Sequence, residues 1–429
     1  MQKKVIQRIY KKVLLCLLLI LLFSCQSAPS QQGISENHTD FLEGLVQFSP
    51  ELSKNMALAV SEIRNSGTIS ESLLAKLSPE EISLPIALYE FKIIHLYALY
   101  GNDMDVLQAL IELDYDPFVP EFLFGATPLH FMAQSGKNPE MLQALLDADH
   151  PQDVTDFMGS SPLHWASQYN ENAEMINVLL SNGFNPNIPD DESYEPIHLA
   201  VMYNSNPMNI VPVLLTARAD PEATDANGNT VLHLFAEFNR SDVALLDLLV
   251  EAGSPINAKN RGLSDTPLHI AAEYSNAQII KRLLAHGANP TLKNKNGYLP
   301  LHKGAWRNTD TEATALLFSL YNNLDVTEPL FSMSPLHLAA WNNANPDILK
   351  ELAAGGANVN AKDSVGDTPL HIALLQNTNP IGTARTLLEL DADPMIANNQ
   401  NITPRQIIQD DPKFLSILEA LPKYITMDR

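Results

Sequence analysis

The sequence predicts an all-α solenoid of about ten helix-turn-helix units, each closed by a β-hairpin loop. Three observations carry this. A short motif, clearest as Thr127-Pro128-Leu129-His130, returns in altered form at His164, His198, His233, His269, His302, His337 and His371, every 33 to 36 residues. A second run of paired apolar residues follows each copy at helical spacing. At 429 residues the chain is too long for one ordinary core, and at 45 % apolar content it is not disordered by composition.

Residues 1–24 read as an export signal. Lys3, Lys4, Arg8, Lys11 and Lys12 give a positive start, and Val13 to Phe23 form an apolar run. A bilayer-spanning helix needs roughly 20 residues, so this run suits a cleaved signal better than a permanent span. It closes on Leu22-Phe23-Ser24-Cys25, which resembles the lipobox of bacterial lipoproteins. The resemblance implies a thioether-linked diacylglycerol on Cys25. The following Gln26 implies an outer-membrane address in the bacterial cell envelope. Two acyl chains, at about 0.8 kcal/mol for each buried methylene, suffice for stable anchoring. An ordinary secretory signal is the alternative. The other cysteine, Cys16, falls inside the apolar run, so no disulfide is expected. Residues 25–38, rich in Ser, Gln, Gly and Pro, read as a flexible tether.

Residues 39–84 show helical spacing, as in Leu52, Met56, Ala59, Val60 and Ile63, without the later motif. We read them as a helical cap, because a repeat array leaves an apolar face bare at each end. A separate functional domain is the alternative. Residues 85–420 hold the repeats and residues 421–429 form a C-terminal tail.

Each position of the unit has a physical reason. The threonine is expected to cap a helix through its hydroxyl. Proline suits the first helical position, where a missing N–H costs nothing. The second helix carries pairs such as Met141-Leu142 with Leu145-Leu146, and Ile279-Ile280 with Leu283-Leu284, which form one buried stripe. Gly183, Gly253, Gly287 and Gly356 then suit a left-handed turn, with Asp114, Asp147 and Asp391 in that place elsewhere. A hairpin follows, as in Thr224-Asp225-Ala226-Asn227-Gly228-Asn229. Period and motif together resemble the ankyrin repeat. The resemblance covers residues 85–420 and implies protein binding. One departure stands out. The Gly-His that usually follows the first helix in that family gives way to links such as Asn170-Glu171-Asn172 and Asn204-Ser205-Asn206. These links predict a differently shaped edge.

The net charge of −23, from 50 acids against 27 bases, disfavours nucleic acid and suits a basic protein partner. Solubility alone is the plainer explanation. The repeated histidines invite a metal reading, but they stand one repeat apart with no second ligand at coordinating spacing. The resemblance implies instead that each ring bonds to backbone. The stretch Asp225-Ala226-Asn227-Gly228-Asn229 has a faint likeness to a calcium loop but lacks the distal glutamate. No Gly-x-Ser-x-Gly elbow, His-Glu-x-x-His helix or phosphate-binding loop is present. No catalytic residue, metal ligand or cofactor is therefore expected, and the chain reads as not an enzyme.

The resemblance places partner contacts four and five residues beyond each histidine, facing the concave groove. The candidates are Tyr100, Tyr169, Tyr203, Phe238, Tyr274, Trp306, Arg307 and Trp341. Seven of the nine such pairs hold an aromatic, against 7 % of the whole chain, which favours binding hot spots. Rings that stiffen the stack are the competing reading. Phe157, Tyr194 and Tyr298 at hairpin tips are weaker candidates. So is a basic group of Lys259, Arg261, Lys281, Arg282, Lys293, Lys295, Lys303 and Arg307. The expected molecule is a monomeric, membrane-anchored scaffold or adaptor. The alternatives are an inhibitor or immunity protein that blocks a secreted toxin or envelope enzyme, and an enzyme with its site in residues 39–84 or an irregular loop.

Overall fold

The computed structural model describes residues 54–78, 92–113, 119–121, 124–148, 153–238, 241–414 and 416–417. The signal, Cys25, the tether and the C-terminal tail lie outside the described residues. Among these residues no helix is long and apolar enough to cross a membrane.

The chain divides into two compact units. In the first, α1 (Lys54–Ser66) buries Met56, Ala59, Val60 and Ile63, the face that the spacing predicts. It is followed by α2 (Glu71–Leu74), α3 (Ile93–Tyr100) and α4 (Met104–Glu112). Asp103 caps α4 by accepting the Asp105 N–H at 3.0 Å.

The second unit repeats one helix pair. It opens with α5 (Pro128–Ser135), α6 (Pro139–Asp147), α7 (Pro162–Tyr169), α8 (Ala173–Ser181), α9 (Pro196–Tyr203) and α10 (Pro207–Thr216). Then come α11 (Val231–Phe238), α12 (Val243–Glu251), α13 (Pro267–Tyr274), α14 (Ala277–Ala285), α15 (Pro300–Arg307) and α16 (Thr311–Ser319). The stack closes with α17 (Pro335–Asn342), α18 (Asp347–Ala354), α19 (Pro369–Gln376), α20 (Pro380–Glu389) and α21 (Pro404–Asp410). Odd-numbered helices from α5 pack on one another as an inner layer, and even-numbered ones as an outer layer. The arrangement is an all-α solenoid. The second-helix pairs face inward as expected, with Met141, Leu142, Leu145, Ile279, Ile280 and Leu283 at most 1 % exposed. Among the described residues the hairpins contain no strand, only one antiparallel bridge between Thr224 and Thr230.

The histidines tie the stack together. In the His130 copy, Nδ1 accepts the Thr127 N–H at 3.2 Å, while Nε2 donates to the Ser160 carbonyl of the next copy at 3.0 Å. A backbone N–H can only donate and a carbonyl can only accept, so the ring is the neutral Nε2–H tautomer. The same pair of bonds recurs at His164, His233, His269, His337 and His371. The threonine does more than expected. Its hydroxyl contacts the histidine ring, 2.9 Å away in Thr127, within a capping box in which the ring accepts the Thr127 N–H. In the final copy Thr403 Oγ1 accepts the Gln406 N–H and donates to Gln406 Oε1, both at 3.2 Å.

The asparagine links have a matching task. Asn204 Nδ2 donates to the carbonyls of Ser167 and Asn170, at 2.8 and 2.9 Å, in the preceding copy. Its Oδ1 accepts the Asn206 N–H at 2.8 Å. Asn170, Asn308 and Asn343 repeat this pattern, each 4–6 % exposed. Each side chain thus satisfies carbonyls left open at the end of an inner helix, for about 1 kcal/mol per bond. Ser275 does part of the same work, donating to the Ala236 carbonyl at 2.9 Å.

The turns after the outer helices follow expectation at Gly183, Gly253, Gly287 and Gly356, where φ is +90° to +107°. Asp391 takes the same left-handed place at +64°. Asp147 does not, because it is the last residue of α6; Arg218, at +67°, fills the place after α10. Asp114 lies outside the described residues.

Candidate protein-binding face

Every inner helix has the same construction. Its early residues are buried between neighbours, and its end emerges just before the closing residue, an asparagine or glycine in most copies, Ser275 after α13 and Asp411 after α21. In α9 the run from Pro196 to Val201 is buried, and Tyr203 then reaches 38 % exposure. Phe238 ends α11 at 43 % and Trp341 lies in the last turn of α17 at 36 %. These three are the most open of the aromatic candidates. The Tyr203 and Phe238 rings touch, with centroids 5.9 Å apart and planes tilted by 58°. Each ring thus packs against its neighbour on one side and stays partly exposed on the other. Tyr169 and Tyr274 are half-buried. Burial pushes the Tyr169 phenol up, with the Tyr203 and Asp156 groups adding to it. Tyr100 is also half-buried, but it ends α3 and so belongs to the first unit.

Trp306 and Arg307 are placed differently. The Arg307 guanidinium lies 5.0 Å from the Trp306 ring centre, and Lys303 Nζ lies 5.8 Å from it. Arg307 Nη1 also donates to Glu273 Oε1 and Tyr274 Oη, each at 3.1 Å. One side of this arginine is committed to its own protein, although its side chain remains 46 % exposed. Beneath it Lys303, only 4 % exposed, contacts Glu273 Oε2 at 2.9 Å and Asp265 Oδ2 at 3.2 Å. Asn294 Nδ2 completes the group by donating to Asp265 Oδ1 at 2.7 Å. Burial alone would lower the Lys303 ammonium, but the Glu273 and Asp265 charges outweigh it and hold it above its ordinary value. The sequence showed these charges only as scattered residues, because the partners stand about one repeat apart.

The basic group is largely engaged. Lys259 Nζ donates to the Lys293 carbonyl and Lys295 Nζ to the Arg261 carbonyl, at 2.8 and 2.7 Å. Arg282 pairs with Asp247, which also holds His286. Tyr298 stacks on its own His302 at 5.5 Å and Tyr194 meets His198 edge-on at 6.2 Å, so both rings serve the stack. Phe157 remains 62 % exposed at its tip.

Sequence reasoning singled out Phe157, Tyr194 and Tyr298 at hairpin tips but missed further open ones: Leu330 is 73 %, Phe331 49 % and Val365 54 % exposed. The tips are joined in register: Asp191 N–H donates to the Met158 carbonyl, Arg261 N–H to Asn227 and Ser364 N–H to Phe331, at 2.8 to 2.9 Å. Apolar residues at turn positions, where other copies carry Asn, Gly or Asp, were the available signal.

Among the described residues no group of three or more His, Cys, Asp or Glu is disposed to hold a metal ion. The architecture is that of a repeat protein whose inner-helix ends and hairpin tips leave apolar and aromatic side chains open beyond its own packing. Models of ankyrin repeats match residues 94–190, 197–294, 238–327 and 301–398, together more than half of the chain. The chain belongs to the ankyrin-repeat family. It is 29 % identical over 197 residues to a putative palmitoyltransferase ZDHHC13 of Danio rerio, covering 46 % of this chain and 30 % of that protein. It is 33 % identical over 190 residues to the nuclear factor NF-kappa-B p105 subunit of Gallus gallus, covering 43 % and 19 %. Rabankyrin-5 of Mus musculus is 32 % identical over 120 residues, covering 25 % and 10 %. The chain thus spans less than a third of the length of each. With the palmitoyltransferase only the ankyrin region aligns, which says nothing about catalysis.

Proposed function

We propose that the chain is a membrane-anchored scaffold of the bacterial cell envelope that holds a partner protein against its inner-helix face. The partly open row of Tyr203, Phe238 and Trp341 carries this reading, because aromatic side chains at such exposure are the usual anchors of an interface. The acidic surface argues against nucleic acid as the partner. The lipobox-like Leu22-Phe23-Ser24-Cys25 supports an anchor on Cys25 and an outer-membrane location. The same acidity favours a second reading, an inhibitor or immunity protein that neutralises a basic secreted toxin or envelope enzyme.

Two measurements test the proposal. Capture from detergent-solubilised envelope is expected to drop at least about tenfold for the triple variant Tyr203→Ala, Phe238→Ala, Trp341→Ala, since each anchor contributes roughly 1 kcal/mol or more. Unchanged capture by a folded variant would refute the face. Metabolic palmitate labelling is expected in the wild type and lost in Cys25→Ala; an unlabelled wild type would remove the anchor.

A further inference from the structure

We propose that the aromatic row from Tyr169 through Tyr203 to Phe238 is the docking face for a lysine- or arginine-bearing segment of the partner protein. This rests on the scaffold reading above and narrows it to one stretch of the stack and one partner chemistry.

The first observation is the local charge. From Asn138 to Ala217 the chain holds eleven Asp and Glu and not one Lys or Arg. From Lys259 to Arg307 the balance reverses, with eight bases against Asp265 and Glu273. The acidity of the whole chain is therefore unevenly distributed, and the copies around α7 and α9 supply no cation of their own.

The second observation is where the carboxylates stand. Asp190 is used internally: its Oδ1 accepts the N–H groups of Glu192 and Tyr194, at 3.0 and 2.8 Å, and shapes the hairpin. The two residues after it, Asp191 and Glu192, are exposed at the tip. That tip is locked in register between its neighbours, through the Met158 carbonyl on one side and Ala226 N–H to the Glu192 carbonyl, at 3.4 Å, on the other. Burial raises the Tyr203 phenol, and the charges of Glu237 and Glu192 raise it further, so the tip and the ring share one field.

The third observation is the ring pair itself. Tyr203 and Phe238 present touching, partly exposed aromatic rings, and a guanidinium or ammonium is attracted to the face of such a ring. Two copies beyond Phe238 the protein makes a contact of this kind from within, with Arg307 lying 5.0 Å from the Trp306 ring centre. Over Tyr203 and Phe238 a basic side chain from the partner makes that same contact, flanked by carboxylates that favour its charge.

The test uses the full chain and a fluorescein-labelled nonapeptide of alternating arginine and glycine, with a glutamate–glycine peptide for comparison. Anisotropy is expected to show saturable binding of the arginine peptide alone, weaker as salt is raised. Asp191→Lys with Glu192→Lys is expected to weaken it at least about tenfold. Glu140→Lys with Glu174→Lys, an equal charge change on the exposed outer helices α6 and α8, is expected to leave it within about twofold. Equal losses in both double variants would mean a diffuse field and overturn the proposal, as would no binding or equal binding of the glutamate peptide. If the tip variant is silent while the triple aromatic variant still loses its captured partner, the scaffold stands and the basic-segment assignment falls.

Discussion

Acidification from pH 7 to pH 4 is expected to lower the urea midpoint of this protein steeply, with most of the loss between pH 6.5 and 4. The cause is the row of buried histidines. Burial pushes His130, His164 and His302 down to about 4, against the partial opposition of their carbonyl partners. In the unfolded chain an imidazole titrates near 6.5. Below that value the unfolded state takes up protons that the folded state refuses. The stabilisation is therefore complete above pH 6.5 and is lost as the pH falls towards about 4. At Nδ1 the added proton would point at a backbone N–H, as at Thr127, so two donors would collide. Each such ring contributes roughly 3 kcal/mol across this range, and the whole stability of a domain is only about 5–15 kcal/mol. Glu195 acts in the opposite sense. Burial, helped by Asp220, raises its carboxyl to about 7, so it gains stability as the pH drops from 7 towards 4.5. Its Oε2 is buried without a hydrogen-bond partner, and as one group against three histidines it offsets only part of their loss. Circular dichroism at a series of pH values checks the expectation; a midpoint constant from pH 7 to 4.5 would contradict it.

Replacing Lys303 by methionine is expected to cost about 3–5 kcal/mol, the largest single-residue effect we foresee. The loss comes less from the missing attraction than from Glu273 and Asp265, which would stay buried with their charges uncompensated. Of the two carboxylates Arg307 reaches only Glu273, and Asn294 gives Asp265 only a neutral donor. The triple variant Lys303→Met, Asp265→Asn, Glu273→Gln should recover most of the loss, because no buried charge remains. Equilibrium denaturation separates the cases. A single-variant loss under about 1 kcal/mol would show that these carboxylates are solvated after all.

Sequence and structure agree where the signal is local and repeated. The period, the helix pairs and the left-handed turn at Gly183, Gly253, Gly287 and Gly356 all follow from patterns within one unit. The asparagine links could be located but not interpreted, since the carbonyls they satisfy belong to the preceding copy. Asn204, for example, is 37 residues from Ser167. The threonine was half legible: its place at the helix start followed from the motif, but the contact of its hydroxyl with the histidine ring, as in Thr127, did not. The candidate face was half legible. Spacing identified Tyr203, Phe238 and Trp341 as a row, but not that Arg307 would be partly claimed by Glu273 and Tyr274. Nor did it show that Leu330 and Phe331 would stand open at a tip.

The stitching also bears on how such a chain can change length. The histidines reach forward to a carbonyl of the next copy, and Asn170, Asn204, Asn308 and Asn343 each reach back to two carbonyls of the one before. Both attachments end on main-chain atoms, which every copy possesses whatever its side chains. Duplication or excision of one whole module therefore rejoins the seams with bonds of the same kind, whereas a cut at half a module strands a donor on one side and an acceptor on the other. Side chains on the exposed inner-helix ends take no part in those seams, so they are free to diverge while the thread holds.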